Sequence, residues 1–246
     1  MAPSHAVRDR RMPRPLAYAI AMTTGSGAES TADLHHRIPP FPLQHSRMDP
    51  SEHRTVEVFL IRHGETEWSL SGQHTGSTDL PLTENGRRAA GRLRPVLEPV
   101  DFSLVLCSPM QRARDTCKLA GLADRMQIEP DLSEWNYGDY EGRTTAAIHA
   151  EAPGWLLFRD GAPGGESPEG IAERVDRLIA RLRRTEGRVA LFAHGHVFRM
   201  LAARWIDLPP LAGSRFLLDT ATLSILSHYR GIPAIRSWNV PLVVQS

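Results

Sequence analysis

The sequence predicts an α/β fold of three layers, a mostly parallel β-sheet flanked by helices. Two observations carry this. Apolar runs of strand length recur at 56–61 (VEVFLI), 102–107 (FSLVLC) and 188–193 (RVALFA). Between them lie segments with helical spacing of apolar residues, opened by helix-start residues. Strands alternating with helices argue for a layered domain with a largely parallel sheet.

Residues 1–53 are rich in Pro, Ser, His and Arg and keep no sustained apolar period. They are expected to form a disordered tail, with the domain spanning 54–246. Arg8, Arg10, Arg11 and Arg14 precede the short run LAYAIAM, a faint echo of an export or import leader. An over-long start, with Met48 as the true one, is the other reading of this segment.

VEVFLI is the first strand. After a loop ending in DLPLTENG, Thr83 is placed to cap a helix carrying Ala89, Leu93, Val96 and Leu97 on one face. FSLVLC is the second strand, and Ser108-Pro109 opens the next helix with Pro near its first position. Ser167-Pro168-Glu169 starts another, ahead of Ile171, Val175, Leu178, Ile179 and Leu182. RVALFA leads into the helix VFRMLAARW, and the strands LSILSHY and AIRSWNV follow.

The 246 residues suffice for one large domain, and 41% apolar with 23% charged residues is ordinary for a soluble globular chain. A net charge of +1 argues against nucleic acid or an anionic membrane as the main partner. No apolar run approaches the roughly 18 residues of a membrane span. Cys107 and Cys117 are too few for a disulfide framework and read as reduced thiols of a cytoplasmic enzyme.

In such a sheet, reactive groups gather at the carboxyl ends of strands. VEVFLI ends at Arg62-His63, FSLVLC at Ser108 with Arg112 just beyond, and RVALFA at His194-Gly195-His196. If these strands are neighbours, arginines and histidines converge on one pocket. Arginine offers a planar fork that matches phosphate oxygens and never loses its charge. Histidine beside it can attack phosphorus or donate to its oxygens.

RHGETEW (62–68), HTGSTDLPLTENG (74–86), SPMQRARDT (108–116), EWNYGDYEG (134–142) and AHGH (193–196) occur in that order. Together they resemble the histidine phosphatase superfamily, the phosphoglycerate mutase-like group that also contains many phosphatases. The resemblance runs from about residue 56 to about 240. It implies that His63 is the nucleophile that becomes phosphorylated and that Arg62, Arg112 and His194 hold the phosphate oxygens. It makes Glu134 the proton donor, which then activates water, a role suited to a carboxyl kept protonated by its setting. Thr75 and Gly76 match the loop that contacts phosphate or substrate, and Tyr137 matches a substrate-side residue. Gly195 would let the backbone approach the oxyanion near a helix start. The implied partner is a small phosphorylated metabolite, with no cofactor and no metal; a homodimer is allowed for.

Rival chemistries fit poorly. Cysteine-dependent phosphatases need five residues between Cys and Arg, and Cys107 to Arg112 leaves four. A Walker A loop needs Gly-Lys-Ser/Thr, and the only lysine is Lys118, between Cys117 and Leu119. The HGH of 194–196 lacks a companion set at metal-ligand spacing, so His196 is expected to fix its loop. GAPGGES (161–167) reads as a turn delivering the Ser167 cap, with Glu166 as a further candidate for substrate contact.

Phosphatase is favoured over phosphoglycerate mutase. Glu134 and His194 are 60 residues apart, without the longer mutase insertion. Ser69 follows Trp68 where mutases have Asn, no lysine follows EWNYGDYEG, and the chain ends in NVPLVVQS rather than a long basic tail. The HTGxTDLPLT and EWxYGxYEG patterns resemble small-sugar and acid phosphatases, such as fungal sedoheptulose bisphosphatase-like enzymes. A sugar phosphate or bisphosphate is therefore the expected substrate class. A catalytically inert phosphate binder is disfavoured because all five principal residues are kept.

Overall fold

The computed structural model describes residues 56–242, so the tail expected over 1–53 lies outside the described residues. Among these residues, six strands form one sheet: β1 (Glu57–Arg62), β2 (Phe102–Cys107), β3 (Met126–Ile128), β4 (Arg188–Ala193), β5 (Thr222–Tyr229) and β6 (Ile232–Pro241). Their order is β3-β2-β4-β1-β5-β6. β3, β2, β4 and β1 run parallel, and β5 is antiparallel to both β1 and β6. The helices are α1 (Glu67–Ser71), α2 (Glu84–Gly91), α3 (Arg94–Leu97), α4 (Gln111–Leu119), α5 (Thr145–Glu151), α6 (Leu157–Asp160), α7 (Pro168–Leu182) and α8 (Gly195–Trp205).

The period of two along each strand explains the layers. Val58 and Leu60 of β1, with Val189 and Leu191 of β4, pack with Ile171, Val175 and Leu178 of α7 and Val197, Phe198 and Leu201 of α8. Phe59 and Ile61, with Ala190 and Phe192, pack instead with Ala90, Leu93 and Leu97 and with Ala113 and Cys117 of α4. Both faces are covered, which is why these strands read as unbroken apolar runs.

The elements differ from expectation in three places. The helix capped by Thr83 is two helices, because Pro95 has no N–H to give the Gly91 carbonyl and the ladder stops at Arg92. Its buried face is Gly86, Ala90, Leu93 and Leu97, while Val96 is exposed. The helix after β2 begins at Gln111 with Met110 before it, so Pro109 stands outside the first turn. Finally, β3 was unread: three residues, two of them exposed, carry no periodic signal.

The order β2-β4-β1 places the three strand ends side by side. The ladder even runs one step past them: the His63 N–H donates to the Ala193 carbonyl and the Ser108 N–H to the Phe192 carbonyl, both at 2.9 Å. His63, Ser108 and His194 thus leave the sheet together at its carboxyl edge.

Candidate active site

His63 is 5% exposed, with its Nδ1 2.7 Å from the Gly64 carbonyl. A carbonyl only accepts, so Nδ1 carries the proton and the lone pair lies on Nε2. That Nε2 has no partner among the described residues. Burial first, then the charges of Arg62 and Arg112, hold the imidazole well below its ordinary pKa, so it stands neutral. The loop behind it is pinned by the Gly64 N–H donating to Thr116 Oγ1 at 3.0 Å.

Arg62 gives one terminal nitrogen to the Leu218 carbonyl, yet its buried Nε has no partner among the described residues. A buried, charged donor left open is costly unless something fills it. Gly195 lies beside this guanidinium, and a Cβ there would stand 3.4 Å from it, in ordinary contact.

Arg112, fully buried on the first turn of α4, is already heavily engaged. Its Nη1 donates to the Thr78 carbonyl at 3.0 Å and its Nη2 to the carbonyls of Thr75 and Gly76 at 3.1 and 2.9 Å. Its Nε donates to His194 Nδ1 at 3.1 Å. A guanidinium only donates, so His194 Nδ1 is the bare nitrogen and Nε2–H is left to donate to Ser108 Oγ, 2.7 Å away. Both ring nitrogens of His194 are thus occupied by protein. Its ring stands 5.2 Å from that of His63, at an edge. Burial, followed by Arg112 and His63, keeps it neutral too.

The Thr75–Thr78 loop is held from both sides. Arg112 takes its carbonyls, while Glu141 accepts the Gly76 N–H (2.9 and 3.1 Å) and the Thr78 N–H (3.0 Å). The Gly76 N–H, expected to face phosphate, is therefore bonded to Glu141. Thr75 Oγ1 donates to the Gln73 carbonyl at 3.2 Å. No side chain fits at Gly76, where a Cβ would lie 2.4 Å from the Trp135 carbonyl.

Glu134 brings one correction. Its Oε1 accepts the N–H groups of Trp135 and Val197, both at 2.9 Å, and its Oε2 accepts that of His196 at 3.0 Å. Two of these donors are the open N–H groups at the start of α8. Burial by itself would raise this pKa. The nearby His196 imidazole, 3.8 Å away, and the three backbone N–H donors oppose burial, and the carboxyl is held well below its usual range. Its setting keeps Glu134 ionised, not protonated as expected.

Tyr137 is 1% exposed and its hydroxyl lies 2.6 Å from His196 Nδ1. The expected substrate-side residue spends its polar group on a neighbour. Glu166 is likewise spent, paired with Arg174 at 2.7 Å. Ser167 caps α7 as expected, accepting the Gly170 N–H at 3.0 Å.

Ser108 was expected at the strand end without a role of its own, while Thr116, Glu141, His74 and Arg199 were not singled out from sequence. Ser108 and Thr116 lie four residues either side of Arg112 within one motif, a spacing that could have flagged Thr116 on the same helix face. His74 stacks on Tyr137 at 4.8 Å, and Arg199 lies 4.8 Å over the Phe158 ring. Among the described residues no group of three or more His, Cys, Asp or Glu could hold a metal ion, and no helix is long and apolar enough to cross a membrane.

Comparison with known proteins agrees with this arrangement. The model of the histidine phosphatase superfamily (branch 1) matches residues 58–241. An acid phosphatase of Mycobacterium tuberculosis is 42% identical over 184 residues, covering 73% of this chain and 90% of that protein. A sedoheptulose 1,7-bisphosphatase of Saccharomyces cerevisiae is 38% identical over 187 residues, covering 63% of this chain and 69% of its own. The solved structure of an open reading frame product from Mycobacterium tuberculosis superposes with a TM-score of 0.72 at 37% identity, covering 76% of this chain and 99% of that one.

Proposed function

The chain belongs to branch 1 of the histidine phosphatase superfamily, and from that premise we propose that it hydrolyses small phosphate monoesters, sugar phosphates or bisphosphates, through a phosphohistidine on His63. The observation that carries this is the pairing of two open groups. His63 offers a bare Nε2, and beside it the buried Nε–H of Arg62 waits for an oxygen. A phosphoryl group satisfies both, with phosphorus at the nucleophile and an oxygen on the guanidinium. The relatives named as acid phosphatase and sugar bisphosphatase support this substrate class.

In this reading the Nε2 lone pair attacks phosphorus and the bond to the alcohol oxygen breaks. Arg62 and the remaining N–H of Arg112 hold the charge on the equatorial oxygens. His194 and Ser108 act behind them, fixing the Arg112 fork. The alkoxide needs a proton, and Glu134 is ionised at rest. The proton therefore enters with the substrate as the phosphate monoanion, passes to Glu134 and leaves on the alcohol. Water then gives a proton to Glu134 as it attacks phospho-His63, the phosphorus–nitrogen bond breaks, and Glu134 returns that proton to the phosphate, which departs as its monoanion. Arginines supply the positive charge that a metal ion gives in other phosphatases.

A panel of sugar phosphates and bisphosphates, assayed for phosphate release alongside capture of an acid-labile, base-stable phosphoenzyme, tests the reading. Turnover and phosphoenzyme should both vanish in His63→Ala. Faster isomerisation of 3-phosphoglycerate than phosphate release, with a trace of 2,3-bisphosphoglycerate, would make the protein a mutase.

A further inference from the structure

Beside Glu134 stands a histidine that the reaction so far leaves without work. His196 is the second residue of α8, and its backbone N–H donates to Glu134 Oε2 at 3.0 Å. Its ring Nδ1 lies 3.8 Å from the same oxygen, so the ring borders the place where the leaving alcohol must meet its proton. The ring itself is packed by Tyr137, Phe158 and His74, with centroids 5.8, 5.6 and 5.9 Å away.

The tautomer of His196 follows from the hydrogen bond between its Nδ1 and Tyr137, the close contact of that nitrogen. The Tyr137 hydroxyl is buried and, among the described residues, has no partner other than His196 Nδ1 at 2.6 Å. If Nδ1–H were the donor, the hydroxyl proton would be buried without an acceptor, a cost of about 1–3 kcal/mol. The hydroxyl therefore donates, Nδ1 accepts, and the ring proton sits on Nε2. That Nε2–H has no partner among the described residues and is not fully buried. The His196 side chain is 22% exposed, against 5% for that of Glu134. A donor of settled direction thus opens on the leaving-group side of the site.

We propose that His196 is a specificity-determining residue whose Nε2–H donates to a hydroxyl on the carbon next to the scissile ester, and that Tyr137 is the positioning residue that keeps the ring in the donating tautomer. The ligand class is a phosphate ester of a polyol with a hydroxyl vicinal to the ester. A neutral donor suits this task, since a hydroxyl oxygen accepts without needing a countercharge. Burial, opposed by Glu134, lowers the His196 pKa and favours the neutral ring. His74 lies 5.9 Å from the same ring, and the charges of Arg199 and Arg62 also act on it. None of these three puts a donor on Nε2.

This inference rests on the phosphatase reading, and the experiment separates the two. Glycerol 3-phosphate and n-propyl phosphate have leaving groups of the same length and differ in the vicinal hydroxyl. The readout is the ratio of their kcat/KM values, native against variants. One neutral hydrogen bond should make His196→Phe lower the ratio by about tenfold, expressed mostly in KM. His196→Gln, which keeps an N–H donor, should retain part of the preference, and Tyr137→Phe should lose part of it. Nitrogen-15 NMR should show Nε2 protonated in the native protein and a mixed tautomer in Tyr137→Phe. Phosphoenzyme formation from p-nitrophenyl phosphate checks the underlying reading in the same samples. If phosphoenzyme forms but the ratio is the same in native protein and His196→Phe, or if NMR finds the native proton on Nδ1, the inference is overturned.

Discussion

The Val197 N–H, in the first turn of α8, donates to Glu134 Oε1 at 2.9 Å, so the carboxylate of one motif closes the helix that the next motif opens. This bond ties Glu134 to the strand end that carries His194. It also decides the charge of that group, because open N–H donors at a helix start favour an anion.

If Glu134 is ionised at rest, the substrate must bring the proton. For an alkyl phosphate, kcat/KM should then fall as pH rises through the second ionisation of the phosphate, near about 6. Glu134→Gln should cost on the order of 10²–10⁴ in the phosphorylation step with a sugar phosphate and much less with p-nitrophenyl phosphate, whose phenolate leaves unaided. Burst kinetics isolates the step. Equal losses on both esters would assign Glu134 to positioning.

Ser108→Ala removes the acceptor of the buried His194 Nε2–H. The orphaned donor should cost about 1–3 kcal/mol of stability, measured by urea unfolding. It should also loosen Arg112 through His194 Nδ1 and raise KM for phosphate esters. Unchanged stability would mean that water or a rotated ring takes over the bond.

Gly76→Ala should be worse than its size suggests. Its Cβ would lie 2.4 Å from the Trp135 carbonyl, so the loop held between Arg112 and Glu141 must shift. Expected outcomes are a loss of about 1–3 kcal/mol by overpacking and a matching loss in kcat/KM. Near-native kinetics would show that the loop is free of the phosphate site.

Acid should unfold the protein before its carboxylates are exhausted. His63, His74, His194 and His196 are all held below the ordinary histidine pKa in the folded state, His74 at about 4. The unfolded chain binds these protons from about pH 6.5 downward and the native state does not, so stability present above pH 6.5 is lost as pH falls toward 4. His74 alone should account for about 3 kcal/mol over that window. Denaturant midpoints between pH 7.5 and 5 check the sign, and His74→Gln should flatten the slope.

Much of this was legible because each strand is buried on both faces and ends where a motif begins. VEVFLI, FSLVLC and RVALFA could only be strands of a covered sheet, and Arg62, His63, Arg112 and His194 could be placed at their ends from residue order. Val96 was misassigned because period alone cannot see that Pro95 interrupts the ladder. The short β3 was missed because pairing with β2, not its own residues, makes it a strand.

By itself the sequence determined the layered fold, the residues at the strand ends and the kind of chemistry they carry, since these follow from local periodicity and from residue types that few reactions need together. Only the tertiary structure decided which nitrogen of each histidine is bare, that Glu134 is ionised, and that Tyr137 serves His196. His63 takes its tautomer from the adjacent Gly64 carbonyl, but the other properties depend on contacts between residues far apart in the chain, such as Arg112 with His194, Glu134 with Val197 and Tyr137 with His196. A proton's position is set by the partner across a hydrogen bond, and for these groups that partner comes from a distant part of the chain.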